Sequence, residues 1–285
     1  MKAGYTHIAI VLDSSGSMAR IFSDTIGGFN TFIDTQKATP GEATFTHIQF
    51  SSSYYSGNGR ATRQLVDYLP PIPSNDYLDP FGGIAPVMLG GMMVGGPLNR
   101  TPRSVEYSRA YFVVQDFVAM AEAKKLVGLS PSFGKENTEF AAFAPGGGTP
   151  LFDTIGRAIY ETGQKLSLMA DEDKPEKVLF VIVTDGDENS SVEYSASDIA
   201  AMIEHQKSVY KWEFMYLGAN QDAITVARAM NIDASKSMSY GLSSGEVTST
   251  YNMVASKVAS YRGSGVTGQS LDFNDEERKT AKIDP

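Results

Sequence analysis

The sequence predicts an α/β fold: a doubly wound, Rossmann-like, mostly parallel sheet with an antiparallel edge strand, helices on both faces, and a long insertion in the edge hairpin. Continuous apolar runs at residues 8–12 and 178–183 are typical of central strands that are covered on both faces. Amphipathic helical patterns lie between the apolar runs, as in proteins that alternate strands and helices. The length of 285 residues and a hydrophobic content of 42% fit one such domain with an elaboration.

Strands and helices alternate along most of the chain. We predict strands at residues 8–12, 46–50, 111–118, 178–183 and 212–217, and helices at residues 21–36, 150–169, 197–210, 221–230 and 244–261. In the first helix Phe22, Ile26, Phe29 and Ile33 recur at steps of four, three and four, which gives one apolar face. We expect the strand at residues 111–118 to pair antiparallel with that at residues 46–50, at the edge of the sheet.

Residues 54–108 separate these two paired strands and are far more numerous than a hairpin needs. We predict a short strand at residues 61–69. Residues 81–98 are eighteen uncharged residues with six glycines and two prolines, a composition that disfavours a membrane helix. Two interpretations remain: a loop packed on its own domain, or a surface that docks onto another protein chain. For the second, Met88, Met92 and Met93 are the expected partner contacts, because methionine adapts to varied surfaces.

The composition divides the chain into three parts. Residues 1–53 and 109–262 form the α/β domain, and residues 54–108 are an insertion rich in Tyr, Pro, Gly and Met. Residues 263–285 begin with Gly-Ser-Gly and are expected to be a flexible linker and a charged tail.

Charge and composition exclude several classes of function. The net charge of −9 and the absence of a Lys/Arg cluster argue against a nucleic-acid partner. The absence of cysteine excludes disulfides and thiolate metal sites. No signal peptide precedes the first strand, so we expect the protein in the cytoplasm, or in a virion if it is phage-encoded, and not in a membrane.

Three short polar segments lie at or beside predicted strand ends. Asp13, Ser15 and Ser17 follow the first strand, Thr149 precedes a helix, and Asp185 follows the strand at residues 178–183. Each segment alone is also typical of a turn or a helix cap. Together they predict one site, because ligands of open α/β sheets bind at the carboxyl ends of strands. Carboxylate and hydroxyl oxygens are hard ligands that suit Mg²⁺ or Mn²⁺.

The residues beside this site suggest how it would be used. A cation held mainly by neutral hydroxyls stays electron-poor and can take a carboxylate from a protein partner as its last ligand. Asp187 and Glu188 follow Asp185 and are expected to be solvated loop residues that shape partner specificity. Asp153, in the first turn of its helix, is expected to serve the helix dipole.

The five site residues resemble the metal-ion-dependent adhesion site of von Willebrand factor A domains. Asp13, Ser15 and Ser17 match its Asp-x-Ser-x-Ser motif, Thr149 the threonine of its second loop, and Asp185 the aspartate of its third. The segments Gly-Gly-Thr-Pro-Leu and Leu-Gly-Ala-Asn-Gln-Asp-Ala are typical of cytosolic bacterial and phage members. The resemblance covers residues 5–261 outside the insertion. It implies a bound Mg²⁺ (or Mn²⁺ or Ca²⁺) and a protein partner that presents Asp or Glu to the ion.

We do not expect an enzyme. Ser15 and Ser17 do not lie in a Gly-x-Ser-x-Gly elbow, no Gly-x-Gly-x-x-Gly turn follows the first strand, and the sequence contains no Walker A loop. Within the three segments and the residues after them, only Glu188 offers a general base. Two function classes remain open. The chain is either a metal-dependent adaptor or a structural component of a phage particle or other assembly, docked through residues 54–108.

Overall fold

The computed structural model describes residues 1–52, 111–128, 140–219, 222–263 and 268–281, and the backbone of residues 87–89 and 92–94. The strands in these residues are β1 (Lys2–Asp13), β2 (Ala43–Phe50), β3 (Val87–Leu89), β4 (Met92–Val94), β5 (Tyr111–Ala119), β6 (Lys125–Gly128), β7 (Phe140–Phe143), β8 (Pro175–Thr184), β9 (Glu213–Ala219) and β10 (Ser237–Tyr240). The α-helices are α1 (Phe22–Ala38), α2 (Leu151–Leu168), α3 (Ala196–Tyr210), α4 (Ala223–Ala229), α5 (Ser244–Arg262) and α6 (Asp275–Ala281). None of these helices is both long enough and apolar enough to cross a membrane.

A central sheet organises the chain, with the strand order β10-β9-β8-β1-β2-β5. Its neighbouring strands are parallel except for β2 and β5, which pair antiparallel at the edge. The predicted fold class is therefore confirmed. The parallel strands place their carboxyl ends at one rim of the sheet, which is where β1 ends in Asp13 and β8 in Thr184.

Side chains alternate across the sheet and feed two separate cores. In β1 Ile8, Ile10 and Leu12 pack toward the face that is covered by α1 and α5, while Ala9 and Val11 pack toward the face that carries α2, α3 and α4. A strand buried on both faces needs apolar residues at every position, which is why β1 and β8 read as continuous apolar runs.

The segment that we interpreted as an insertion leaves and rejoins the sheet at neighbouring points. Phe50 of β2 is directly paired with Tyr111 of β5, so residues 51–110 connect two adjacent strand ends. Within this segment β3 and β4 pair antiparallel. The predicted strand at residues 61–69, and the side chains of Met88, Met92 and Met93, lie outside the described residues.

The end of the chain differs from the expected charged tail, while residues 264–267 of the expected linker lie outside the described residues. Residues 268–281 fold back on the domain, where Leu271, Phe273 and Ala281 are buried in the core on the α5 side. The Arg278 guanidinium donates hydrogen bonds to backbone carbonyls of Ala234 (2.8 Å) and Ser235 (3.2 Å), and also to that of Ser237. The charged residues of α6 predict a solvent-exposed segment, but the buried apolar side chains of Leu271, Phe273 and Ala281 hold it against the domain.

Candidate metal centre

Asp13 is the last residue of β1, and its carboxylate is fully buried. One oxygen, Oδ1, accepts the backbone N–H of Ser15 at 2.6 Å, which closes a tight turn after the strand. The other, Oδ2, accepts the Thr184 hydroxyl at 2.6 Å. Both donors fix the carboxylate at the rim of the sheet, between the ends of β1 and β8.

Ser15, Ser17 and Asp185 continue the site from the two neighbouring strands. The Ser15 and Ser17 hydroxyls lie 3.0 Å apart, because alternate residues of the turn face the same side. The Ser17 hydroxyl donates to Asp185 Oδ1 at 2.6 Å. The loops after β1 and β8 are thereby joined through side chains that all carry oxygen atoms.

Thr149 brings the third loop to the same point. A Cβ placed on Gly186 would lie 3.0 Å from Thr149 Oγ1, 3.2 Å from Ser17 Oγ and 3.9 Å from Asp13 Oδ2. Three oxygens, two from the loop after β1 and one from the loop before α2, therefore lie around one position beside Gly186, which is on the loop after β8. This cradle of hard oxygens fits a small divalent cation such as Mg²⁺ or Mn²⁺, whose ligand set would be Asp13, Ser15, Ser17, Thr149 and Asp185.

Backbone hydrogen bonds hold the second loop against the first. Gly16 N–H donates to the carbonyl of Gly147 at 2.9 Å, and Gly146 N–H donates to the carbonyl of Ser14 at 2.8 Å. Gly147 has a φ of +77°, a conformation that glycine adopts without a steric penalty. The glycine run before Thr149 is thus used for a close approach of two backbones.

The electrostatics of the site favour a cation. Burial raises the pKa of Asp13 to about 6, although hydrogen bonds from Thr184 and Ser15 oppose the shift. Burial also raises the pKa of Asp185, against the hydrogen bond from Ser17. Desolvated carboxylates are stabilised by a positive charge, and a metal ion supplies one.

The candidate ligands include three hydroxyls, of Ser15, Ser17 and Thr149, and two carboxylates, of Asp13 and Asp185. In the described part of the chain, no three His, Cys, Asp or Glu side chains are grouped so that they could hold a metal ion. Asp13, Ser15 and Thr149 are buried, whereas Ser17 and Asp185 are half-buried, so the site opens on the side of Ser17 and Asp185. A ligand from outside would have to approach from that side.

Asp187 and Glu188, the expected partner contacts, occupy different environments. Asp187 is exposed and lies two residues after Asp185 in the chain. Glu188 is directed inward, and its carboxylate accepts from backbone N–H groups of Phe152 (3.0 Å), Ser190 (2.8 Å) and Ser191 (2.7 Å) and from the Ser191 hydroxyl (2.6 Å). The expectation of a solvated Glu188 is therefore corrected, because its oxygens already bind the start of α2 and its own loop.

Thr184 and Asp153 make contacts near the site that the sequence did not predict. Thr184 donates to Asp13, and its signal was a single polar residue at the end of an apolar strand, directly before Asp185. Asp153 accepts backbone N–H groups of Val192, Glu193 and Tyr194, not those of its own helix. No local pattern reveals such a contact, since its partners are about forty positions away.

Comparison with known proteins gives similarities of fold. The sequence matches no protein-family model and no curated protein. Proximal thread matrix protein 1 from the mussel byssus is 12% identical with a TM-score of 0.45, over 89% of this chain and 48% of that one. The same protein with a zinc-occupied MIDAS motif is 11% identical with a TM-score of 0.45, over 90% and 46%. A von Willebrand factor type A protein from Catenulispora acidiphila is 12% identical with a TM-score of 0.46, over 90% and 43%. The chain spans less than half the length of each of these structures.

Proposed function

We propose that this protein is a metal-ion-dependent protein-binding module that works as an adhesion or adaptor domain. Asp13, Ser15, Ser17, Thr149 and Asp185 would hold a divalent cation, Mg²⁺ or alternatively Mn²⁺ or Ca²⁺. When bound, the ion supplies a Lewis-acidic position that a carboxylate can occupy. An Asp or Glu of a partner protein would complete the coordination.

The observation that carries this proposal is the cradle beside Gly186. Oxygens of Thr149, Ser17 and Asp13 lie within 3.0–3.9 Å of a single point. Two of them come from the loop after β1 and one from the loop before α2, and Gly186 itself lies on the loop after β8; backbone hydrogen bonds join these three loops. A set of turns or helix caps alone has no reason to direct three oxygens at one position.

The surroundings of the opening indicate the kind of partner. Asp187 is an exposed carboxylate beside Asp185, and the chain carries a net charge of −9. We therefore expect the acidic residue of the partner to be flanked by a basic one that meets Asp187. Glu188 is not part of this surface, because its carboxylate is directed inward.

Catalysis is not part of the proposal. The pattern of hydroxyls around two carboxylates suits the binding of an ion, and Glu188 is engaged in structural hydrogen bonds. We propose a binding role for the metal.

The test is a calorimetric titration of the full chain with Mn²⁺ and Mg²⁺, with and without acetate. Wild type is expected to bind one ion, and acetate is expected to tighten binding because it completes the coordination. Asp13→Asn should remove measurable binding. Asp187→Asn is the matched control, since it removes a neighbouring exposed carboxylate and should leave ion binding within about twofold, as expected of a screened surface charge.

The proposal would be refuted if Asp13→Asn bound the ion as tightly as wild type, or if wild type bound no ion. In that case we would favour the alternative, in which the chain is a structural component of a phage particle or other assembly and docks through residues 54–108. The division into residues 1–53 with 109–262, residues 54–108 and residues 263–285 stays a prediction from sequence. So do a phage or bacterial origin and a cytoplasmic or virion location.

A further inference from the structure

The loop after β8 wraps over the first turn of α2, where Asp153 is the central contact. Its carboxylate accepts backbone N–H groups of Val192, Glu193 and Tyr194, each at 2.8 Å. Asp153 is only 5% exposed. A buried carboxylate with three N–H donors holds its partners firmly, because hydrogen bonds to a charged acceptor are the stronger kind.

Hydrogen bonds also run in the opposite direction, from the backbone at the start of α2 to side chains of the loop. A helix N-terminus leaves such N–H groups without partners inside the helix. The donors and acceptors are Thr149 to Asn189 (2.8 Å), Phe152 to Glu188 (3.0 Å) and Asp153 to Ser191 (3.1 Å). In return, Asn189 N–H donates to the Thr149 carbonyl at 3.2 Å. We call this two-way set between residues 149–153 and 188–194 the clasp.

The clasp connects two of the five metal-site residues. Thr149 lies directly before the N-cap of α2, and Asp185 lies directly after β8 at the start of the clasped loop. The position of the Thr149 hydroxyl relative to the Asp185 carboxylate therefore depends on how the loop sits on the helix. Tyr194 adds to the fit, since a Cβ on Gly156 of α2 would lie 2.8 Å from its ring.

We propose that Asp153 is a positioning residue for the metal centre. It does not enter the coordination; its carboxylate holds the β8 loop on α2 so that Thr149 and Asp185 reach the same cation. This inference rests on the proposed function, since it assumes that these two residues bind an ion. Residues behind the ligands of a metal change its affinity by roughly 10–100-fold when they are replaced.

The test uses two clasp variants and one control on the same helix. Asp153→Asn places an NH₂ group where a carboxylate oxygen met a backbone N–H. Asn189→Ala removes the acceptor of the Thr149 N–H without changing charge. Glu161→Gln is the control, because Glu161 is also on α2 but accepts from the Tyr111 hydroxyl of β5 at 2.9 Å.

Two readouts separate positioning from plain stability. The first is Mn²⁺ affinity by calorimetry, in which Asp153→Asn should bind roughly 10–100-fold more weakly and Asn189→Ala should bind more weakly too. Glu161→Gln should keep its affinity within about twofold, even where it unfolds at a lower temperature. The second is amide hydrogen exchange in EDTA, which should become faster in both clasp variants at residues 146–149 and 185–194.

The outcomes are distinct. Wild-type affinity in Asp153→Asn, with or without faster exchange, overturns the inference and leaves the proposed function standing, since wild type still binds. Exchange that stays unchanged in both clasp variants overturns it as well, because the loop would not depend on the clasp. A wild type that binds no Mn²⁺ overturns the proposed function and the inference together.

Discussion

Replacement of Asp13 by asparagine is expected to stabilise the metal-free protein at neutral pH, even though it removes a proposed metal ligand. Asparagine has the same shape, and its amide oxygen can still accept the Ser15 N–H. Its NH₂ group can donate to the Thr184 hydroxyl, which can turn its own hydrogen toward the carbonyl of Gly186, 3.1 Å away. The substitution thus removes a buried charge and keeps the hydrogen bonds.

The magnitude follows from the pKa of Asp13. Burial raises this pKa from 3.8 to about 6 in the folded state. This rise in the pKa corresponds to about 3 kcal/mol by which ionisation of Asp13 destabilises the folded state at pH 7. Because the folded state binds the proton more tightly, this cost develops as pH rises from 3.8 to about 6 and is nearly absent at pH 4. A bound cation would offset it in wild type only.

The assay is urea unfolding in EDTA at pH 7 and pH 4. Asp13→Asn should be more stable than wild type by about 3 kcal/mol at pH 7 and by less than about 1 kcal/mol at pH 4. Saturating Mn²⁺ should raise the stability of wild type and not that of the variant. Asp187→Asn is the matched control and should match wild type throughout. A variant that is less stable than wild type in EDTA at both pH values would refute the reasoning.

Three further predictions concern the rest of the domain. Burial lowers the pKa values of His7 and His47 from 6.5 to about 3. The free energy of unfolding should therefore be highest above pH 6.5 and should fall as the pH drops toward 3. At pH 5 we expect a loss of about 2 kcal/mol for each histidine. His47→Leu should remove half of that fall in urea unfolding between pH 7 and pH 5, and an unchanged fall would contradict the burial argument. Replacement of residues 54–108 by a short turn should leave a core with a cooperative thermal transition, because Phe50 and Tyr111 are already paired; an insoluble product would count against it. Arg278→Ala should lower the free energy of unfolding by about 1–3 kcal/mol and speed hydrogen exchange at residues 237–240, and protection equal to that of wild type would show that the guanidinium is dispensable.

The parts of the fold that the sequence predicts are those with a local signal. β1 and β8 are continuous apolar runs because both faces are covered, and α1 and α2 keep apolar residues on one side. β10 was not predicted, because Ser-Met-Ser-Tyr is short and half polar although every residue of the strand is buried. Its pairing with β9 decides its conformation, and that pairing leaves no trace in its own four residues.

In the candidate site, too, only some features could be predicted from the sequence. Asp13 and Asp185 could be placed together because parallel strands end at one rim of the sheet. The predicted topology gives this proximity, which the separation of the two residues along the sequence does not reveal. The inward direction of Glu188 and the long reach of Asp153 could not be predicted. Their partners are backbone N–H groups, which every residue except proline carries and which no sequence pattern marks.

The fold-back of α6 on β10 has a consequence for how copies of this protein meet. A strand at the border of a sheet offers free carbonyls and N–H groups to any extended segment that approaches it. Arg278 already occupies carbonyls at and just before β10, and Gly241 N–H just after it donates to the carbonyl of Ala281 at 3.0 Å. These contacts occupy part of the backbone that an added strand would pair with, and loss of the last helix would open this border to strand addition and aggregation.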